Sequence, residues 1–137
     1  GRRGLCRRRR GHRGVAQVGA PIASARARCS GQLLAMRVGT IALGYADGFL
    51  RALSGTSARP GPMGFIGEHP VPLVGRVSMD LITVDVTDVP EKQAVRGAWV
   101  EVLGARTTID DLTDRAGTIG YELLTRLGHR VHRVYQG

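Results

Sequence analysis

The sequence predicts a small, mainly β domain with two short helices near its C-terminal end. Short apolar runs alternate with turns rich in glycine and proline, such as "SGTSARPGPMG" at 54–64. Towards the C-terminus the apolar residues recur at the three- and four-residue intervals of a helix. With 137 residues, 42% of them hydrophobic, the chain suits one domain with a modest core.

Basic residues are concentrated at the N-terminal end of the chain. Residues 1–38 contain ten arginines and no acidic residue, whereas residues 39–137 contain ten basic and eleven acidic residues. We therefore expect residues 1–37 to be an Arg/Gly-rich leader, disordered or non-native, and residues 38–137 to form the domain. A nucleic-acid-binding arm is the alternative for the leader, and the lack of interleaved aromatic residues disfavours it.

Composition excludes several classes of protein and site. Cys6 and Cys29 are too few for a disulfide framework, and no cysteine, histidine or acidic cluster has metal-ligand spacing. No G-x-x-x-x-G-K-[ST] phosphate loop occurs, and no stretch approaches the ~20 apolar residues of a membrane helix. We predict a cytoplasmic protein with no metal and no membrane association.

The predicted strands follow one another from residue 38. Apolar runs predict strands at 38–43 and 71–77, with a hairpin turn at 65–70 before the second. In the strand predicted at 77–86, the apolar residues alternate with polar ones, and this alternation changes phase at Leu81-Ile82. The change predicts a β-bulge or a change of the buried face there. Further strands are expected at 98–104 and, as an edge strand, at 129–136.

Two helices are predicted between the last two strands. Thr108 is a suitable N-cap for a helix over Ile109–Ala116, which Gly117 would end. Thr118 would cap a second helix that continues to residue 127. In that helix the apolar side chains at positions 119, 123, 124 and 127 would share one buried face.

Tyr45 is the first candidate functional residue, because it follows an apolar strand and has small neighbours in "GYADG" at 44–48. Such a turn would present the phenol rather than bury it. To act as a base near neutral pH, the phenolate needs nearby positive charge, and Arg51 is close in sequence. Composition alone favours a different reading of Tyr121, as a core aromatic with its hydroxyl at the surface.

Three segments together resemble a known family. They are "IALGYADGFLR" at 41–51, "PLVGRVSMDLITVDV" at 72–86 and "TIGYELLTRLGHRVHRVY" at 118–135. In order and spacing these segments resemble the C-terminal domain of bacterial alanine racemases, over about residues 38–137. The resemblance implies a β-rich, barrel-like domain that follows an N-terminal (β/α)8 barrel, here absent.

The resemblance also implies an enzyme that interconverts L- and D-alanine with pyridoxal 5′-phosphate (PLP). In the family a barrel lysine holds the cofactor, and each active site of the homodimer joins one barrel to the partner's C-terminal domain. The lysine exchanges a proton on one face of the substrate, and a tyrosine from the partner does so on the other. Other small amino acids, such as serine, are possible substrates in this family.

Four residues match the family's site residues by position. Tyr45 corresponds to the catalytic tyrosine, and Met79 to the residue whose backbone N–H contacts the substrate carboxylate. Asp80 corresponds to an acid beside the substrate, and Tyr121 to the tyrosine that reaches the cofactor phosphate. The only lysine, Lys92, does not match the lysine segment, so the resemblance implies that the isolated chain neither holds PLP tightly nor racemises alanine.

Two other classes of function remain open from the sequence. One is a non-catalytic β interaction domain with the racemase shape. The other is a nucleic-acid-binding protein that acts through its arginine-rich leader.

Overall fold

Seven strands form one antiparallel sheet with two helices beside it. The computed structural model describes residues 14–19, 23–29, 32–56 and 58–132. The strands are β1 (Gly14–Gln17), β2 (Ala23–Cys29), β3 (Gln32–Ile41), β4 (Met63–Ile66), β5 (His69–Val74), β6 (Ile82–Asp85) and β7 (Trp99–Leu103). The helices are α1 (Ile109–Ala116) and α2 (Gly120–Thr125). The predicted mainly β domain with two short helices is confirmed.

The sheet curls back towards itself without a continuous closing ladder. Its strand order is β1-β7-β4-β5-β6-β3-β2. Just after β1, Val18 forms a single antiparallel bridge with Ile41 at the end of β3. The next N–H, of Gly19, donates to the carbonyl of Thr40 at 2.9 Å. This bridge brings the two sides of the sheet together at one point, so the barrel-like form expected from the resemblance is not a closed barrel in the described residues.

Alternating strand residues and both helices supply the core. One face of each inner strand is buried, with polar or partly exposed residues between. The buried apolar residues include Ile41, Val71, Leu73, Ile82, Val84, Val100 and Val102 from strands, and Leu112 and Leu123 from helices. Burial of this apolar surface is the main favourable contribution to folding.

Strand structure begins before the expected boundary at residue 38. β2 pairs with β3 from Ala23↔Val38 to Cys29↔Gln32, and β1 pairs with β7. Ladder hydrogen bonds join main-chain groups, so an edge strand rich in arginine and alanine can pair as well as an apolar one. Residues 1–13 of the expected leader lie outside the described residues.

Two local predictions are corrected by the structure. The predicted strand over 77–86 with a bulge is wrong, because only Ile82–Asp85 pairs and residues 75–81 form an irregular loop. The second helix is shorter than predicted, Gly120–Thr125 with Ile119 as N-cap, and Ile119 is exposed rather than buried. Of the predicted edge strand at 129–136, residues 133–136 lie outside the described residues.

The hairpin turn and the first helix agree with the predictions. Gly67 adopts a positive φ of 58° between β4 and β5. Thr108 caps α1 by accepting a hydrogen bond from Asp111 N–H, and Gly117 ends the helix in the left-handed conformation. These elements place two loops side by side at one end of the sheet, where the candidate site lies.

Candidate active site

Tyr45 opens a short 3-10 turn, Tyr45–Asp47, that follows the end of β3. The carboxylate of Asp47 is buried and accepts a hydrogen bond of 2.9 Å from Gly44 N–H, which closes the turn from inside. Gly48 ends the turn with a φ of 104°, a conformation that favours glycine. The Tyr45 side chain remains 43% exposed, so the turn presents the phenol as the sequence predicted.

The Tyr45 turn is docked on the backbone of Ser78 and Met79. Tyr45 N–H donates to Ser78 O, and Ala46 N–H donates to Met79 O, each at 3.0 Å. A Cβ added at Gly44 would lie closer than 3.0 Å to both carbonyl oxygens. Only glycine allows this approach, so the structure brings Tyr45 and Met79 together at the level of the main chain.

Met79 and Asp80 lie in the loop before β6. Ser78 N–H donates to Leu81 O at 3.2 Å, which folds the loop into a tight turn. The Met79 side chain is exposed, and no acceptor for the Met79 N–H is found among the residues that the structure describes. A main-chain N–H in this state is available to a carboxylate ligand. The amide is therefore presented by a turn, without the bulge that the sequence predicted.

A groove beside Tyr45 is lined by two arginines. Its lining residues are Tyr45, Gly48, Phe49, Leu50, Arg51 and Arg126. The guanidinium of Arg51 donates to Val77 O at 3.4 Å, which holds it against the loop that carries Met79. Arg126 follows α2 and pairs with Glu122 at 3.0 Å. Two guanidinium groups thus line the groove beside Tyr45.

Tyr121 lies apart from that groove on the outer side of α2. Its side chain is 78% exposed, and Ile119 and Leu124 beside it are also exposed. The prediction from composition that Tyr121 is a core aromatic is therefore wrong. Tyr121 and Leu124 on α2 and Ile119 at its N-cap are thus exposed apolar or aromatic side chains, a type common where another protein domain binds.

Asp47 and Arg130 also contribute to the site, and the sequence analysis did not identify either of them as a site residue. Arg130, in the turn after α2, forms ion pairs with Asp47 and with Asp80. Asp47 had a local signal, because an acid three residues after a turn-opening glycine can cap the turn. Arg130 had no such local signal in the sequence, because its partners Asp47 and Asp80 are remote from it along the chain.

The groove offers hydrogen-bond donors for an anionic ligand but no lysine to hold a cofactor covalently. A phenol and a main-chain N–H are suitable donors for phosphate and carboxylate oxygens. Lys92 lies in an exposed turn after Pro90, so no lysine of the chain faces the Tyr45 groove. Within the described ranges, no cluster of potential metal ligands and no helix long and apolar enough to cross a membrane is present.

Comparison with known proteins gives a consistent result. The sequence matches the family described as "Alanine racemase, C-terminal domain" over residues 29–135. It is 50% identical over 107 residues to an alanine racemase of Rhizobium meliloti, covering 74% of this chain and 28% of that protein. A Rhodospirillum rubrum alanine racemase is 51% identical over 100 residues, 73% of this chain and 25% of that protein.

Solved structures agree with the sequence matches. Alanine racemase from Bartonella henselae, with covalently bound pyridoxal phosphate, superposes with a TM-score of 0.71 and 34% identity, covering 90% of this chain and 31% of that one. The biosynthetic alanine racemase of Pseudomonas aeruginosa gives a TM-score of 0.74 and 32% identity, covering 91% of this chain and 35% of that one. The chain therefore spans about a quarter to a third of the length of these relatives.

Proposed function

The chain belongs to the alanine racemase family through its C-terminal domain, and from this premise we propose that it contributes half of a racemase active site. The observation that carries the proposal is the docking of the Tyr45 turn on Ser78 and Met79. This docking sets an exposed phenol beside an available main-chain N–H. The proposed reaction is the interconversion of L- and D-alanine.

Tyr45 is proposed to exchange a proton with the α-carbon of the substrate on one face. Racemisation needs an acid/base group on each face, because the proton must leave one side and return on the other. The exposed phenol and the arginine-lined groove support this role for Tyr45. The group for the opposite face would come from a barrel domain of a second subunit in a homodimer.

Met79 is proposed to orient the substrate through its N–H. A carboxylate held by this donor would fix the α-carbon relative to the phenol, since both groups belong to one docked pair of loops. Asp80, adjacent in the chain, is proposed to border the substrate position. A small amino acid such as alanine suits this pairing, because one contact holds its carboxylate and its side chain adds little bulk.

PLP is the proposed cofactor, and when bound it would withdraw electrons from the α-carbon. Tyr121 is proposed to donate its hydroxyl to the cofactor phosphate. The exposure of Tyr121, Ile119 and Leu124 on α2 supports contact with a barrel domain that carries the cofactor. The isolated chain is accordingly proposed to bind PLP weakly and to leave alanine unchanged.

A chimeric enzyme tests the role of Tyr45. Residues 29–135 of this chain replace the corresponding segment of the Rhizobium meliloti alanine racemase, to which the chain is 50% identical. In this chimera Tyr45→Phe is expected to lower the racemisation rate by about 10²–10⁴-fold. Exchange of the α-hydrogen with D₂O should persist for one alanine enantiomer only, because the opposite face keeps its base.

The matched control is Trp99→Phe, which alters another exposed aromatic residue. Trp99 is 48% exposed and lies on β7 away from the groove, so this variant should keep full activity. Assayed in parallel with PLP, the isolated chain should show no turnover. If the Tyr45→Phe chimera racemises as fast as its parent, the chain is a non-catalytic interaction domain and the proposal fails.

A further inference from the structure

Arg130 contacts both loops of the candidate site. Its Nε lies 3.4 Å from Oδ1 of Asp47, in the Tyr45 turn, and its terminal NH2 contacts Oδ1 of Asp80, beside Met79. The two carboxylates are separated by more than thirty residues in the chain. One guanidinium therefore links the two loops that extend beyond the paired ends of β3 and β6, where Ile41 lies opposite Ile82.

Loss of the ion pair between Asp47 and Arg130 would also affect the Tyr45 turn. Its other oxygen, Oδ2, accepts the 2.9 Å hydrogen bond from Gly44 N–H that closes the Tyr45 turn. The Asp47 side chain is almost completely buried, and a buried carboxylate without a cationic partner is strongly unfavourable. The contact with Arg130 thus gives this buried carboxylate a cationic partner, while its other oxygen holds the turn closed.

The backbone around Arg130 also packs against the Tyr45 turn. A Cβ added at Gly48 would lie 2.5 Å from the carbonyl oxygen of Arg126. Gly128 is similarly close to the turn, since a Cβ there would lie 3.9 Å from Ala46 O. The segment after α2 is therefore fitted to the turn by its main chain as well as by the arginine side chain.

The charge on Arg130 does not vary in the working pH range. A hydrogen bond to Asp80 raises the pKa of the Arg130 guanidinium, while partial desolvation lowers it and the charges of Asp47 and Asp80 raise it further. The net direction is upward from a group that is already cationic at every physiological pH. Deprotonation of Arg130 therefore does not release this contact at physiological pH.

We infer that Arg130 is a positioning residue that holds the Tyr45 turn against the Met79–Asp80 loop by bridging Asp47 and Asp80. The effect of Arg130 on catalysis rests on the proposed racemase role of Tyr45. The structural link between the two loops does not depend on that role. By fixing both loops, Arg130 sets the position of the phenol relative to the Met79 N–H. Neither of those groups touches Arg130, so its effect is transmitted through the two carboxylates.

Amide hydrogen exchange in the full 137-residue chain tests directly whether Arg130 holds the two loops together. The reporters are the N–H groups of Tyr45 and Ala46, which donate across the interface between the loops. Arg130→Met should speed their exchange about tenfold or more, because the interface opens without global unfolding. Arg130→Lys keeps the charge but loses the two-pronged geometry, and should speed exchange by a smaller factor. The buried Val86 N–H, bonded to Arg37 O, should be unaffected in both variants.

The matched control is Arg106→Met. Arg106 has a comparable side-chain exposure, 35% against 39% for Arg130. It pairs with Glu68 at 3.4 Å and donates to Gly67 O at 2.7 Å, both in the β4–β5 turn and away from the site. This control should leave exchange at Tyr45 and Ala46 unchanged. The inference is overturned if Arg130→Met exchanges at the parental rate at both amides. Should Arg130→Met fail to fold, parental exchange in Arg130→Lys overturns it equally.

The chimeric racemase separates this inference from the proposed function. There Arg130→Met should lower kcat while Arg130→Lys recovers part of it, with PLP content per subunit unchanged. Faster amide exchange in Arg130→Met, together with full activity of the Tyr45→Phe chimera, would support the positioning role of Arg130 and refute the racemase role of Tyr45. Unchanged amide exchange in Arg130→Met, together with an inactive Tyr45→Phe chimera, would refute the positioning role of Arg130 and support the racemase role of Tyr45.

Discussion

Gly44→Ala is expected to separate the two loops of the site by steric force alone. The added Cβ would fall closer than 3.0 Å to the carbonyl oxygens of Ser78 and Met79. Both obstacles are main-chain atoms and cannot rotate away as a side chain would. The Tyr45 turn must therefore move, and the hydrogen bonds from Tyr45 and Ala46, each 3.0 Å long, lengthen or break.

The size of the effect follows from those two bonds. Each hydrogen bond contributes about 0.5–1.5 kcal/mol net, and displacement of the turn adds the loss of its packing, so we expect a loss of about 3 kcal/mol in the free energy of unfolding. For a domain of this size that corresponds to a fall of about 12 °C in Tm. Urea and thermal unfolding followed by far-UV circular dichroism measure both quantities.

Two other glycines serve as controls for Gly44→Ala. Gly120→Ala places a Cβ at ordinary contact distance, 3.8 Å from the Ile109 side chain, and should be neutral or slightly stabilising in α2. Gly75→Ala meets no atom within 4 Å but has a φ of 71°, so it should cost about 1–2 kcal/mol from backbone strain alone. The reasoning is refuted if Gly44→Ala destabilises the chain no more than Gly75→Ala.

The remaining predictions concern α1. Thr108→Ala should lower the free energy of unfolding by about 1 kcal/mol in urea titrations, because Thr108 Oγ1 accepts the Asp111 N–H; an unchanged value would contradict this. Hydrogen bonds from the Thr108 side chain and backbone lower the pKa of Asp111, so the linked stabilisation is complete above its unfolded pKa and is lost as pH falls through the folded value. NMR titration of Asp111 should show this depression, and Thr108→Ala should reduce it. Leu112→Ala, at a fully buried position, should cost about 2–5 kcal/mol in the same unfolding assay, and a loss below 1 kcal/mol would refute its place in the core.

The elements predicted well are those whose signals are local. Helix α1 has its N-cap, first-turn acids and terminal glycine within ten residues, and the structure reproduces its bounds. The turn at Gly67 and the exposed Tyr45 turn are likewise indicated by glycines within or next to each turn. Steric and capping preferences of this kind act without reference to the rest of the fold.

The elements predicted poorly depend on distant partners. β2 carries arginines that resemble a disordered leader in sequence, and its strand state comes from main-chain pairing with β3. The predicted strand at 77–86 was wrong because the main chain of residues 75–79 bonds to distant loops: Gly75 and Val77 to residues 51–55, and Ser78 and Met79 to the Tyr45 turn. The same holds for Arg130, whose two carboxylate partners become neighbours only in the folded chain.

The pairing of β1 with β7 has a consequence for the order of assembly during synthesis. Gly14 lies opposite Leu103, so this ladder closes a loop that contains most of the chain. The hairpins β2–β3 and β4–β5 involve near neighbours and can form as soon as they leave the ribosome. β1 must wait, unpaired, until β7 has emerged, and during that interval β4 also lacks its β7 neighbour. Until β7 emerges, one edge of β1 and one edge of β4 are unpaired, and at this stage the nascent chain exposes more strand edges to aggregation than the finished sheet does.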